Sequence, residues 1–331
     1  MKRISVVILN WNGQHLLERF LPSVIQHSHW LTEIIVVDND SDDDSLFFLK
    51  EQYPMIRIIA LSRNYGFAEG YNRALEQIKS EYVVLLNSDV EVTENWLSTA
   101  IKYLDSNHDV AALQPKILSY KDKSSFEYAG AAGGFIDIYG YPFCRGRIFS
   151  DIEKDTGQYD TVTDVFWASG ACFIIRLKDY KEVGGFDNNF FAHQEEIDLC
   201  WRLKARGKRI VCLPSSVVYH LGGATLNAEN PEKTYLNFRN NLLMLHKNLP
   251  DKYYDKIMKA RYFLDHLAAA QFFIKGKIGS ANAVLKALQD FKQMKKEYTQ
   301  IREENLKKTT VEIPKGMYTK SVLWKYHVGG K

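Results

Sequence analysis

Residues 82–92, YVVLLNSDVEV, constrain this chain more than any other stretch. Five apolar residues run unbroken from Tyr82 to Leu86, the pattern of a strand buried on both faces of a parallel sheet. The run stops on Asn87-Ser88-Asp89. In open α/β sheets ligands bind beyond the carboxyl ends of the strands, which puts Asp89 at the lip of a crevice. A carboxylate there suits a hard cation bridging to a phosphate. Asn-Ser-Asp is equally an ordinary turn sequence.

The same rhythm surrounds this stretch. Strand-like runs at 4–9, 34–37, 56–61 and 110–113 alternate with helical patterns. One is Leu16, Leu17, Phe20, Leu21, Val24 and Ile25, the next Phe67, Tyr71, Ala74, Leu75 and Ile78, and a third covers 96–104. Such alternation predicts βαβ units and a parallel sheet covered on both sides. Asp40-Ser41 is placed to cap a short helix after the second strand. The basic start and first apolar run imitate a signal peptide, but the run is short and ends on Asn10-Trp11-Asn12, so it reads as a first strand. From 119 to 160 the pattern breaks into an aromatic segment punctuated by glycines, read as an irregular, functional loop. Strands are expected again at 162–167, 171–176, 210–213 and 217–220, with a turn at Gly184-Gly185 and a helix over 195–206 that Gly207 ends. Beyond about residue 230 strands are expected to stop. Three helices follow, at 238–249, 253–275 and 281–298, the last with a stripe of Val284, Leu288, Phe291, Met294 and Tyr298.

Charge divides the chain along the same line. Residues 251–331 hold 17 Lys/Arg and 8 Asp/Glu, a net +9; with +3 for all 331 residues, the first 250 carry −6. A basic helical tail on a weakly acidic body predicts an anionic partner. No stretch reaches the roughly 20 apolar residues that span a bilayer. The expectation is a cytoplasmic protein that meets the inner face of the plasma membrane peripherally. Tyr262, Phe263, Leu267, Phe272, Phe273 and Ile274 supply apolar area, and Lys256, Lys259, Lys275 and Lys277 supply charge. Packing on the body or a homodimer interface are the alternatives; no nucleic-acid partner is expected. Cys144, Cys172, Cys200 and Cys212 form no CxxC pair, which argues against a zinc ribbon or a thioredoxin-type site, and reduced thiols fit the cytoplasm.

Three places carry candidate chemistry. Asp38 ends the second strand, where an acid can hold a ribose, but Asn10-Trp11-Asn12-Gly13 lacks the glycine spacing of a dinucleotide fold and the basic loop of a nucleotidyltransferase. Asn10 and Asp38 end neighbouring strands and can still hydrogen-bond a base or ribose; Asp38 as a mere helix cap is the simpler reading. In Glu195-Glu196-Ile197-Asp198-Leu199-Cys200-Trp201-Arg202, Asp198 and Arg202 stand at i, i+4 and support the helix, whereas Glu196 points roughly the other way. Glu195 and Glu196 also open the helix, where its dipole alone favours acids. His220 closes the last strand, before Gly222 and Gly223, which allow close backbone approach.

Taken in order, the Asn10-Trp11-Asn12 loop, Val36-Val37-Asp38-Asn39, Asn64-Tyr65-Gly66-Phe67-Ala68, Asn87-Ser88-Asp89, the Glu195–Arg202 run and His220 resemble glycosyltransferase family 2, over about residues 1–225. Within it they are most similar to rhamnosyltransferase-type enzymes of bacterial polysaccharide synthesis. The resemblance implies a GT-A type nucleotide-binding sandwich with a mostly parallel sheet at 1–225, followed by a helical, basic segment at 226–331. It implies a nucleotide-sugar donor, a UDP- or dTDP-sugar with rhamnose among the candidates, and a saccharide or lipid-linked acceptor. It also implies a divalent cation, Mg2+ or Mn2+, and inversion at the anomeric carbon. By motif, Asn10, Asn12, Asp38, Asn64, Gly66, Asn87 and Asp89 would bind the donor, Asp89 and His220 the metal, and Glu196 would be the base. Two departures stand out: Asn87 replaces the first acid of the metal motif, and the base is Glu where the family usually has Asp. A nucleotidyltransferase and a non-catalytic saccharide-binding protein on the same fold are the rival readings.

Overall fold

The computed structural model describes residues 2–28, 31–222 and 230–328; Gly223 lies outside them. The amino-terminal half runs β1 (Ile4–Asn10), α1 (Gln14–His27), β2 (Thr32–Asp38), α2 (Ser45–Gln52), β3 (Arg57–Ala60), α3 (Gly66–Glu76), β4 (Tyr82–Asn87), β5 (Val90–Val92), α4 (Trp96–Ser106) and β6 (Val110–Ser119). After an excursion through β7 (Gly134–Asp137), β8 (Pro142–Cys144), β9 (Arg147–Ile148) and β10 (Asp151–Ile152), the chain returns as β11 (Thr163–Asp164) and β12 (Cys172–Arg176). Then come α5 (Leu177–Glu182), α6 (Glu195–Ala205) and β13 (Arg209–His220).

The main sheet has the order β11-β13-β6-β12-β4-β1-β2-β3, with β5 paired to β13. The four strands β4, β1, β2 and β3 are mutually parallel, and Asn10 is in register with Asp38 and Leu9 with Asn87. These polar residues therefore end neighbouring strands at one edge. The unbroken apolar runs arise because alternate side chains enter two different cores. Val6, Ile8, Val84 and Leu86 meet α1 and α4 through Leu17, Leu21, Trp96 and Leu97. Val7, Val83 and Leu85 belong to the cluster on the other face, with Tyr71, Leu75, Leu199 and Trp201. That alternation is the period-2 geometry of a strand with both faces covered.

Several expectations are corrected. β12 runs antiparallel to both β4 and β6, because the excursion after β6 brings the chain back from the opposite end. The 119–160 segment is partly ordered as a second sheet, β10-β9-β8-β7-β14, whose last strand, β14 (Met317–Tyr318), comes from the tail, so strands do not stop at 230. The two short strands at 210–220 are one, broken by a register shift between Leu213 and Val217; Pro214 cannot donate to the ladder there. Asp40 and Ser41 do not cap α2. Its first N–H, at Ser45, is met by Asp43 Oδ1 at 3.0 Å.

Among the described residues the tail forms α7 (Pro231–Asn248), α8 (Asp251–Ile274), α9 (Ile278–Met294), α10 (Thr299–Lys307) and α11 (Val322–Val328), five helices rather than three. Leu242, Leu243, Met244 and Leu245 of α7 are buried in the same cluster as Trp201 and Ile210. The α9 stripe of Val284, Leu288 and Phe291, with Tyr298, packs inward as expected. On α8, Tyr262, Phe263, Leu267, Phe273 and Ile274 are exposed. Phe272 is the exception, partly buried against the core. Among the described residues no helix is long and apolar enough to cross a membrane.

Candidate active site

The edge where β1, β2 and β4 end gathers three groups of polar side chains. The first is centred on His220. Pairing of β5 with β13 sets His220 opposite Val90, one residue from Asp89. His220 Nε2 lies 3.1 Å from Asp89 Oδ1, and Nδ1 lies 3.3 Å from Glu127 Oε2. All three residues are buried. Burial by itself would push the imidazole down; the two carboxylates outweigh it and hold His220 up at about 10. Glu127 also accepts the N–H of Ala129. Gly222, at φ +69°, passes so close that a Cβ there would stand 2.8 Å from Glu127 Oε1. The Asn87 amide nitrogen is 3.5 Å from His220 Nε2.

Among the described residues no three or more His, Cys, Asp or Glu side chains form a ready-made metal cage. Asp89 Oδ1 and His220 Nε2 nevertheless have the spacing of neighbouring ligands on an octahedral ion, which at bonds of about 2.1 Å stand about 3 Å apart. Mg2+-type ions are bound by one or two protein carboxylates with phosphates and water at the other corners, so Asp89 fits such an ion, and His220 could join it only by giving up the proton that Asp89 and Glu127 hold on it.

The second group lies beyond β1 and β2. Asp38 Oδ2 accepts from Ser41 N at 3.1 Å, forming a turn before α2 rather than a helix cap. Asn10 Nδ2 reaches Asp38 Oδ1 at 3.4 Å and Ser41 Oγ at 3.3 Å. Asn10 Oδ1 is buried and has no partner. A side chain at residue 13 would crowd it, with a Cβ 2.5 Å away, so Gly13 leaves the acceptor space. Asn12 ties the two loops together, its Oδ1 accepting Asp42 N at 2.7 Å and its N–H reaching Ser41 Oγ. Asn64 is used inside its loop, accepting from Asn39 Nδ2 at 3.0 Å and from Gly66 N at 2.8 Å.

The third group opens α6. Glu195 is buried and Glu196 is half-buried, and each has a buried carboxylate oxygen without a partner. Burial, with the neighbouring charge of Glu196, raises the Glu195 carboxyl well above its usual range. Burial also pushes Glu196 up to about 7. The two differ in surroundings. Glu195 acts electrostatically on the buried Tyr71 and Tyr180, whereas Glu196 retains access to solvent. Asp198 has no such freedom. It binds Arg202 at 2.8 Å, Lys247 at 2.9 Å and Asn248 at 2.8 Å, and the cations outweigh burial to hold it low. Its expected pairing with Arg202 is present, with a second cation from α7 added.

The structure thus joins Asp89 to His220, Asn10 to Asp38 and Asn64 to Gly66. Gly66 has a further role. At φ +73° it meets Phe191, just ahead of α6, so closely that a Cβ would sit 2.7 Å from the Phe191 carbonyl oxygen. Sequence reading missed Glu127, which lies in the segment taken for loop and in no motif. It also missed Lys233, which lies within electrostatic range of both Glu127 and His193. A helix start at Asn230-Pro231 was the available signal, since Asn230 caps α7 by accepting Glu232 N at 2.8 Å.

Comparison with known proteins gives a consistent result. The family model described as Glycosyl transferase family 2 matches residues 5–184, more than half of the chain. An N-acetylglucosaminyl-diphospho-decaprenol L-rhamnosyltransferase of Mycobacterium tuberculosis is 25% identical over 66% of this chain and 75% of its own length. The rhamnosyltransferase WbbL of Escherichia coli is 27% identical over 66% of this chain and 83% of its own. The O-antigen biosynthesis protein RfbC of Myxococcus xanthus is 26% identical over 70% of this chain, which spans only 18% of that much longer protein. Among solved structures, S. aureus TarS 1-349 in complex with UDP-GlcNAc superposes with a TM-score of 0.58 at 18% identity, over 92% of this chain and 89% of that one. GalNAc-T7 with UDP, GalNAc and Mn2+ gives 0.60 at 17% identity, over 91% and 57%. At such identities the structural matches speak for the fold alone.

Proposed function

This chain belongs to glycosyl transferase family 2 and has a GT-A type fold, and from that premise we propose that it is an inverting, metal-assisted glycosyltransferase of cell-surface polysaccharide synthesis. Its donor is a UDP- or dTDP-sugar, with rhamnose favoured because two of the relatives are named rhamnosyltransferases. The observation that carries the reading is the division of labour at the sheet edge. Asp89 and His220 lie at one place and the raised, solvent-accessible Glu196 at another.

In this mechanism the unpartnered Asn10 Oδ1 and the Asp38 carboxylate hold the base and ribose. Asp89, with His220 once deprotonated, would hold a divalent cation, which would supply positive charge to the departing diphosphate. Glu196 accepts the proton of an acceptor hydroxyl while that oxygen attacks the anomeric carbon and the bond to the diphosphate breaks. A carboxyl near 7 suits this work, because a general base is most effective when its pKa lies near the working pH. The acceptor is a saccharide, and the exposed α8 face favours a lipid-linked one. Phe263, Leu267 and Ile274 are exposed there beside the exposed Lys252, Lys256 and Lys259, a composition that suits the anionic inner face of the plasma membrane. Gly279, at the start of α9, lies against Pro231 at the start of α7.

The test is a donor panel scored by thermal shift and hydrolysis with Mg2+ or Mn2+, since a bound ligand stabilises the folded state. Glu196→Gln is expected to lose about 10²–10⁴-fold in rate with donor affinity nearly unchanged. Asp89→Asn is expected to lose the metal-dependent part of donor binding. A Glu196→Gln enzyme within tenfold of wild type, or an intact metal response in Asp89→Asn, would refute these roles.

A further inference from the structure

The backbone that delivers Glu196 is strained. Phe191 has φ 62° and ψ −63°, and the Ala192 N–H closes back on the Phe190 carbonyl at 2.7 Å, a γ-turn of the rarer, strained hand. His193 and Gln194 follow at φ 71° and 73°, so three of the four residues from 191 to 194 are non-glycine residues with positive φ. Such conformations persist only where surrounding contacts over-determine them. α6 begins on the next residue, so this loop fixes where its first turn points.

One side chain supplies most of that determination. Asn240 of α7 is fully buried, and its Nδ2 lies 2.9, 2.9 and 2.8 Å from the carbonyl oxygens of Phe190, Ala192 and His193, its two N–H groups reaching all three by sharing one hydrogen between two acceptors. Its neighbours add to the grip. Arg239 donates to the Asn189 carbonyl at 2.7 Å, and Asn241 Nδ2 reaches Gln194 Oε1 at 3.1 Å. On the far side the Phe191 carbonyl accepts the N–H groups of Phe67 at 2.6 Å and Ala68 at 3.1 Å, at the start of α3. The loop is thus held between the helix that follows the Asn64-Gly66 loop and a helix of the tail.

We propose that Asn240 is a positioning residue for catalysis: by holding the carbonyls of residues 190, 192 and 193 it keeps the strained loop in the one conformation that aims Glu196 at the acceptor hydroxyl. The proposal rests on the assignment of Glu196 as base. Asn240 touches neither donor nor acceptor in this scheme, so its loss acts on kcat and leaves donor binding alone.

The experiment is a double-mutant cycle between Asn240→Ala and Glu196→Gln, with Asn240→Ser as a second variant that keeps one donor. Each is first checked for a cooperative thermal transition. Asn240→Ala is expected to lower kcat about 10²-fold, the order of loss for a misplaced catalytic group, with donor KM within about twofold. Asn240→Ser is expected to recover part of that loss. In the Glu196→Gln background Asn240→Ala should cost almost nothing more, because the group it aims is already gone. Hydrogen exchange at the amides of Phe67, Ala68 and Ala192 should speed up in Asn240→Ala. Full additivity of the two losses overturns the proposal, as does a kcat within threefold of wild type in a folded Asn240→Ala protein. A Glu196→Gln protein that is itself near wild-type activity is a failure of the base assignment, visible before the cycle is read, and removes this proposal with it.

Discussion

At Glu196 the shift that the proposed chemistry calls for is also a stability cost. The carboxyl rises from its ordinary 4.5 to about 7 because burial disfavours the charged form. For an acid raised in this way, the folded state binds its proton more tightly than the unfolded chain does. Stability therefore falls as pH climbs from about 4.5 to about 7, and the full cost is present above that window. Glu196→Gln removes the charge. It is expected to be more stable than wild type by about 1–3 kcal/mol at pH 8, with the gain vanishing near pH 4. Urea denaturation at the two pH values checks this; a gain that is the same at both, or a loss at pH 8, would show that the carboxylate is not strained by burial. Asp198, three residues earlier than Trp201 on the same helix, shows the opposite use of a buried acid. Arg202, Lys247 and Asn248 satisfy it, so it binds elements together. Sequence spacing separated these two acids correctly, because i, i+4 geometry is local. Glu127 escaped notice because nothing local marks it; it reaches His220 only through the return of the chain after β6.

Helices α7 and α8 both read in sequence simply as helices of the segment beyond residue 230, yet their surroundings differ. α7 is enclosed, and its amides and Lys247 serve the loop and helix that carry Glu196. α8 keeps an open face of Phe263, Leu267 and Ile274 edged by Lys252, Lys256 and Lys259. Each basic residue close to an anionic surface adds about 1 kcal/mol, an effect screened by salt. Flotation is therefore expected with vesicles containing anionic lipid and not with neutral ones, weaker in high salt. The triple change Lys252→Glu, Lys256→Glu and Lys259→Glu should abolish it. Binding indifferent to lipid charge would sink the membrane reading, and a concentration-dependent dimer lost on Phe263→Ser would put a second copy on this face instead.

Over the whole molecule, the strand-and-helix pattern that ends near residue 225 marks a change of composition, and we expect that it is not a boundary of folding. Leu236, Leu242, Leu243, Met244, Leu245 and Leu249 of α7 and its end are buried. Each such side chain stabilises the fold by about 1.5–3 kcal/mol. Their joint loss is of the order of the roughly 5–15 kcal/mol that holds a domain together. It would also strand Asp198 without Lys247. Residues 1–225 alone are expected to lack a cooperative thermal transition, and a sharp transition in that fragment would refute this. The sequence by itself determined the βαβ body, the strand ends that present Asn10, Asp38 and Asp89, and the helix that begins at Glu195. Those features follow from side-chain periodicity and from polar residues that interrupt it, both properties of neighbouring positions. Only the tertiary structure decided the antiparallel course of β12, the small sheet completed by β14, the contact of Glu127 with His220 and the grip of Asn240 on the loop before Glu196. Each of these joins residues far apart in the chain, and no local pattern of charge or hydrophobicity specifies which distant partner a buried polar group will meet.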